Sequence, residues 1–490
     1  MEAVKSNFRA SMAWLHTGLG LITGWVLFAI ALSGTLSVFR QEISVWMRPE
    51  LSATSTSPIE ASAHAVEWLT QNAPASPAWY LNAPTQQEPF TLGVWSDPKG
   101  VYLQKALSPQ TGSPDGIRQT FGGEFFYRFH FELQLPYPFG RLIAAIAALA
   151  LVVGLISGVI IHRRIFADFF TFRPGKGQRS WLDAHNLLGV LALPFHLMIS
   201  FTGAVTLGTL LLPWSTQAVY KHDLMATYTD LNPALDARPP SGHPGHLAPI
   251  LPILQDAERR IGEAGIAQIY IFNPTDQASV ITITSGNTNT VSTTSHTLNF
   301  DGTNGHLLSE HVEKRPLIGA YTFLYGLHVA RFAPSVTRWL YFVCGLMLTA
   351  VIGSGMRLWT IKRLRSNPHL GHVLTERLNV GVLAGLSLAF TSYFLANRIL
   401  PAGLPGREDH EIQCVFIIWA LALIFALFRK SEAAWTELLA ACALACLAIA
   451  ALGAPWRDSV SAATSVTAAL FAGSFAYAAI NTYRKKRLSP

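Results

Sequence analysis

The sequence predicts an α-helical polytopic membrane protein of about eight transmembrane helices, with two α+β extracytoplasmic domains and an internally duplicated four-helix core. Three observations predict it. The 490-residue chain is 50% hydrophobic and only 13% charged, outside the range of a single soluble domain. Apolar runs long enough for the roughly 20 helical residues that cross a bilayer recur along it. A set of histidine, glycine and serine motifs occurs twice at fixed offsets.

The apolar runs fall at 11–39, 139–162, 183–213, 335–361, 379–397, 411–428, 434–454 and 460–482. The first, closing segment 1–39, is too long for a removable signal peptide. The last four make an extension over 379–482. Arg163, Arg164, Arg173, Lys176 and Arg179, then Lys362, Arg363 and Arg365, then Arg429 and Lys430, then Arg484, Lys485, Lys486 and Arg487 belong on one side of the membrane. The positive-inside rule makes that side the cytoplasm, with both termini there. The net charge of +7 therefore follows topology and does not call for nucleic acid. Four cysteines are too few for a disulfide framework or an iron–sulfur site; Cys442 and Cys446 share a helix face and read as packing.

Segments 40–138 and 214–334 are polar and face outward. Each reads as a small α+β unit. In the first, helical periodicity over Pro58 to Asn72 precedes strand-like runs at Phe90 to Trp95 and Gly100 to Gln104 and a turn at Gln110 to Gly112. The second has a helix near Ile250 to Glu263, strands at Ile269 to Phe272 and Ser279 to Thr284, and a turn at Asp301 to Gly305.

The repeat is sharper in the apolar helices. An offset of 169 carries His16, Gly20 and Gly34 onto His185, Gly189 and Gly203. Tyr127, His130 and Pro136 have the spacing of Tyr325, His328 and Pro334. An offset of 197 carries Arg141 onto Arg338 and Ser157-Gly158 onto Ser354-Gly355. Each half is thus helix, outer domain, helix, giving spans 1–39, 139–162, 183–213 and 335–361.

Among 16 histidines, the informative six are in or beside these spans: His16, His130, His162, His185, His196 and His328. Ionisable side chains there are costly and functional by default. With the inferred topology, His16 and His185 lie near the cytoplasmic ends of their helices, and His130 and His328 at the outer ends. Two symmetric pairs result, one per membrane face. Paired neutral imidazoles on different helices suit b-type haem, most simply two haems, and ligation of both axial sites favours electron transfer over oxygen chemistry. Zinc would want a tetrahedral set of three or four ligands, for which the spans lack cysteine and acid. His185 and His196 stand eleven residues apart, about 16 Å of rise and about 20° of residual rotation on a straight helix, so His196 is an alternate ligand, as is His162. Their counterparts in the other half are Leu27 and Trp359.

Gly18, Gly20, Gly24, Gly34, Gly154, Gly158, Gly189 and Gly203 permit close approach of helices or of a flat macrocycle. Arg141 and Arg338 either pair with haem propionates or snorkel to the interface. His243, His246, His306 and His311 offer metal ligands on loops. Trp46, Trp79, Trp95, Phe125, Phe126 and Tyr127 either line a docking surface or anchor at the interface.

Over residues 1 to about 365 this pattern resembles the PepSY-associated transmembrane family, which includes iron-regulated inner-membrane siderophore reductases of the FoxB kind. The motifs that carry the resemblance are His16-x-x-x-Gly20 with Ser33-Gly34, Tyr127-x-x-His130, Asp183-Ala-His185-x-x-x-Gly189 with Thr202-Gly203, Tyr325-x-x-His328, and the outer units ending in Gln110-Thr-Gly112 and Thr303-Asn-Gly305. The resemblance implies PepSY-like outer domains and haem-dependent reduction of ferric siderophores or other ferric chelates in the periplasm, releasing ferrous iron. The chain has no Gly-x-Gly-x-x-Gly fingerprint and no cytoplasmic segment sized for a flavin domain, so the electron donor is a cytoplasmic reductant or a membrane quinol. The alternative is a non-catalytic membrane scaffold whose outer domains bind an extracytoplasmic partner. The extension has no counterpart in the resemblance.

Overall fold

The computed structural model describes the chain except residues 1, 52–55, 163–171, 213, 222, 224–225, 228–229, 231–233, 287–289, 293–294, 331 and 489–490. Arg163 and Arg164, and the side chains of Lys485, Lys486 and Arg487, lie outside the described residues. Along the chain run α1 (Glu2–Ser37), α2 (Arg40–Trp46), α3 (Pro58–Asn72), β1 (Ala78–Asn82), β2 (Thr91–Ser96), β3 (Tyr102–Leu107), α4 (Glu124–Glu132), α5 (Phe139–Ile161), α6 (Gln178–Leu191) and α7 (Leu193–Thr206). Then come α8 (Gly208–Leu211), α9 (Trp214–Tyr220), α10 (Ile250–Ile261), β4 (Ile266–Phe272), β5 (Val280–Ser285), β6 (His296–Asp301), β7 (Leu307–Val312) and α11 (Pro316–Val329). The last helices are α12 (Ser335–Ser366), α13 (Leu370–Ile399), α14 (Arg407–Phe428), α15 (Ser431–Leu452) and α16 (Ser459–Leu488).

The chain forms two compact units. One joins Met1–Met47, Thr120–Leu211 and Ser335–Pro490, and the other Arg48–Gln119 and Leu212–Pro334. The first is helical. Among the described residues seven helices are long and apolar enough to cross a membrane, and the count is eight if the bent pair α6 and α7 is one span. The protein is a polytopic membrane protein. Helix α1 packs against α5 and α12, and α6 packs against α12.

The run 183–213 does not form the straight helix its length suggests. Helix α6 already starts at Gln178, ends at Leu191, and is followed after Ala192 by α7 at an angle of 71°. Pro194 is the cause: it donates no amide proton, its ring crowds the carbonyl four residues back, and it biases the preceding residue out of helical geometry. The projection of His185 and His196 from one helix face therefore fails.

In the extension, α13 is longer than the apolar run that announced it, starting nine residues before Asn379. Its additional turns bring Glu376, 3% exposed, to the Thr360 hydroxyl at 2.6 Å and the Trp435 indole at 3.0 Å, and into an ion pair with Arg357. Asn379 accepts from the Trp25 indole at 2.9 Å and donates to the Met356 carbonyl at 3.2 Å. At the far end of α13, Asn397 donates to Glu411 at 2.8 Å, and Arg407 pairs with the same carboxylate; both Arg407 and Glu411 are fully buried. Buried charges persist only when paired and hydrogen-bonded; the contacts of Glu376 and Asn379 fix the extension onto α12 and α1, and the Arg407–Glu411 pair ties α13 to α14.

The second unit is built on one seven-stranded antiparallel sheet, ordered β3-β2-β1-β4-β5-β6-β7. Helix α3 begins where expected, with Ser57 and Glu60 forming a capping box and Pro58 in the first turn. The two polar segments meet through β1 and β4, with Tyr80 opposite Tyr270. Strand alternation places Trp79, Leu81, Ile269 and Ile271 on the same face, where α3 and α10 cover them together with Ile281, Ile283, Leu298 and Phe300 in one core. Strands β1, β6 and β7 are additions to the sequence reading. At the expected turn, Gly112 has φ +68 and a β-carbon there would stand 2.0 Å from the His64 carbonyl oxygen, so only glycine fits.

Candidate functional site

His16 on α1 and His185 on α6 face one another with ring centroids 6.4 Å apart and planes at 80°. Each ring is held from behind by a different helix. His16 Nδ1 lies 2.9 Å from the Gly154 carbonyl and 3.3 Å from Ser157 Oγ of α5. His185 Nδ1 lies 2.9 Å from the Val351 carbonyl and 3.1 Å from Ser354 Oγ of α12. The same offset of 197 that aligns the serines relates the two carbonyls.

These contacts fix the tautomer. A carbonyl can only accept, and each serine hydroxyl donates its one proton to that same carbonyl, at 2.9 Å in both cases. Both partners of each Nδ1 are therefore acceptors, the proton sits on Nδ1, and Nε2 keeps its lone pair. A metal-ligating histidine needs this state, with its outer nitrogen tied to a carbonyl. No hydrogen bond joins the two rings among the described residues.

The separation fits a shared metal between them. Two metal–nitrogen bonds of about 2 Å each, with each nitrogen roughly 1 Å in front of its ring centre, put opposed imidazole centroids roughly 6 Å apart. One turn along each helix stand Gly20 and Gly189. A β-carbon at Gly20 would meet nothing within 4 Å, and one at Gly189 only a Val351 methyl at 4.0 Å. Gly158 and Gly355 in turn admit the rings, their absent β-carbons standing 3.3 and 3.1 Å from Cε1 of His16 and His185. The slot thus has two lone pairs, two fixed rings and a glycine one turn along each helix, which suits a flat macrocycle.

His130, on α4, repeats the local device. Its Nδ1 lies 2.8 Å from the Ile30 carbonyl of α1, again an acceptor. A β-carbon on Gly34 would come within 2.5 Å of that nitrogen, so this glycine serves the histidine's approach. His328 belongs to the other compact unit, in the last turn of α11. Both helices stop just after their histidine at a left-handed residue, Leu133 with φ 55 and Ala330 with φ 53.

His196 follows the bend by two residues past Pro194 and is fully buried. Neither ring nitrogen has a hydrogen-bond partner among the described residues, although the backbones of Gly189 and Cys344 are close. An unsatisfied buried imidazole is costly, so His196 keeps its standing as a ligand candidate on different grounds from the helical spacing. His162 caps α5, with Nδ1 buried and unpaired among the described residues.

Other sequence candidates have different neighbours. Arg141 pairs with Glu132, its Nε 2.9 Å from the carboxylate, and Arg338 grips Glu42 at 2.5 and 2.6 Å, so both guanidinium groups are already neutralised. Trp46, Trp79, Trp95, Phe125 and Phe126 are core side chains and line no docking surface, because hydrophobic packing inside each unit claims them. Tyr127 lies under the Arg40 guanidinium. The loop of His243 and His246 is pinned by Asp276, which accepts from Ser241 and Gly242; these bonds hold its carboxyl down to about 2. No group of three or more metal-ligating side chains occurs among the described residues. Cys442 and Cys446 are buried in α15, as the packing reading expects. The serine partners of His16 and His185 were visible in the repeat as Ser157-Gly158 and Ser354-Gly355, but their role as acceptors needs the fold.

Residues 13–362 match the family described as the PepSY-associated TM region. The chain belongs to the PepSY-associated transmembrane family. The family region takes in α1 from residue 13, α4 to α7 and nearly all of α12, and ends before the extension. This PepSY-associated protein is also similar to an uncharacterised protein of Pseudomonas aeruginosa, 28% identical over an alignment of 363 residues that covers 68% of this chain and 87% of the relative.

Proposed function

We propose that this PepSY-associated protein binds b-type haem in the bacterial inner membrane and passes electrons outward to ferric siderophores or other ferric chelates, releasing ferrous iron. The observation that carries the reading is the opposed pair His16 and His185, each with Nδ1 tied to a carbonyl and Nε2 left to ligate. When bound, haem would supply a one-electron centre, and His16 and His185 are the residues that would hold it.

The residues of the chain do the rest. Gly154 and Val351 carbonyls hold the two imidazoles in the ligating tautomer. His130, tied to Ile30, is the first ligand of a second haem, and His328 or His196 the sequence candidates for the other. The matched hydrogen bonds of His16 and His185 support an origin of the core by duplication, and the basic segments support cytoplasmic termini with the sheet unit in the periplasm, built from two PepSY-like halves. The ferric chelate rests on resemblance to siderophore reductases, the donor on the lack of a nucleotide fingerprint.

An optical spectrum of the purified protein, oxidised and then reduced with dithionite, tests the reading. A b-type Soret and α band is expected, with two haems per chain. His16→Ala and His185→Ala should each remove the same haem equivalent, and the double variant no more than either. A protein without these bands would sink the proposal and favour the scaffold.

A further inference from the structure

Helix α4 has nine residues, too few to hold a helix in isolation. Its place is therefore set by what packs on it: α1 and α5 run beside it, and its aromatic face is covered by the extension. Phe125 and Phe126 are fully buried and Phe129 is 1% exposed. Phe125 lies 4.5 Å from the ring of Tyr393, and Phe126 and Phe129 each lie 5.2 Å from the ring of Phe390 in edge-to-face contact. Phe126 also stacks on Phe394 at 5.5 Å, and Phe129 approaches Trp419 of α14 at 6.5 Å. These geometries are the favoured ones for aromatic pairs.

The loop entering α4 is held by the same helices. Tyr393 donates to the Gly122 carbonyl at 3.0 Å, and Thr120 donates to Glu411 at 2.5 Å. Phe126 and His130 are four residues apart and share a stripe of the helix. One end of that stripe is fixed to α13, and the other delivers the imidazole to Ile30 and Gly34 of α1. All the residues that grip α4 from this side lie beyond residue 362, outside the family region.

We infer that the C-terminal extension is a positioning element for His130: α13, through Phe390 and Tyr393, holds α4 in the orientation that presents this histidine to its haem. The inference rests on the proposed haem reading for its consequence, and on packing alone for its geometry. Phe390 and Tyr393 touch neither haem ligand, so they are positioning residues.

The experiment compares Phe390→Leu, Tyr393→Leu and Tyr393→Phe with Leu438→Ala, which loosens the extension at the buried contact of α13, α14 and α15 away from α4. Two readouts are taken on the full chain in detergent: hydrogen exchange of residues 120–133, and the redox titration and low-spin EPR spectrum of the bound haem. The two leucine variants should speed exchange across α4 by about tenfold or more and shift one of two haem components, leaving the component lost in His16→Ala unmoved. Tyr393→Phe, which keeps the ring, should retain most of the wild-type signature. Unchanged exchange and spectra in both leucine variants, or an equal shift in Leu438→Ala, would overturn the inference. A wild-type protein without haem would sink the functional reading alone, since the exchange arm still decides whether α13 holds α4.

Discussion

Gly34 and His130 are closely packed: a methyl group on the glycine would stand 2.5 Å from the imidazole Nδ1, so the ring itself would have to shift. Gly34→Ala should push the ring off the Ile30 carbonyl at a cost of roughly 1–3 kcal/mol. Pyridine haemochrome analysis should show loss of up to one haem equivalent, with the His16 component intact. Gly158→Ala and Gly355→Ala, at 3.3 and 3.1 Å from their rings, should instead disturb the other component, and less severely.

Ser157→Ala and Ser354→Ala remove one of two acceptors behind His16 and His185. The carbonyl bonds remain, so both proteins should bind haem, with affinity reduced by about tenfold, the lower end of what such outer partners contribute to metal sites. Haem transfer to an excess of apo-globin measures this. Wild-type transfer rates would show that the serines do not support the rings.

Glu411→Leu should leave Arg407 buried without its carboxylate and destabilise the helical unit by about 3–5 kcal/mol. Thermal unfolding in detergent reads the loss. The double variant Arg407→Met with Glu411→Leu should recover most of it, because an apolar pair of similar volume removes the uncompensated charge.

Two glycines with left-handed backbones separate strain from space. Gly112→Ala and Gly100→Ala pay similar conformational costs, at φ +68 and +80, but a β-carbon at Gly112 also strikes the His64 carbonyl, whereas one at Gly100 meets nothing within 4 Å. Limited proteolysis of the full chain should find Gly112→Ala cut readily in the sheet unit and Gly100→Ala nearly as resistant as wild type.

Asp276 has a carboxyl held down from 3.8 to about 2 by Ser241, Ala278 and Gly242. A depressed carboxyl stabilises the loop fully above its unfolded value and loses the effect as pH falls through about 2. Exchange protection at residues 241–246 should therefore be flat from pH 5 to 8, and weaker throughout that range in Asp276→Asn.

The sequence made the apolar helices and the histidine repeat legible because both are local patterns. Pro194 was passed over, because the apolar run 183–213 masked a breaker that donates no hydrogen bond, and the bend at Ala192 followed. The pairing of β1 with β4 was hidden because its partners are separated by most of a helical half. The hold of the extension was hidden for a different reason: nothing local to Asn379, Asn397, Glu376 and Glu411 announces their partners, and only Trp25, Thr360 and Thr120 reveal buried anchors. Likewise Arg141 and Arg338 looked available to propionates until Glu132 and Glu42 were placed beside them.

The join of β1 to β4 also sets an order of assembly. During synthesis β1 leaves the ribosome long before β4 exists, and at about 5–20 residues per second the interval is roughly 10–40 s. For that time β1, carrying Trp79 and Leu81, is a bare edge, the kind of strand that recruits foreign partners. The sheet is therefore sealed on that side only when the second half arrives.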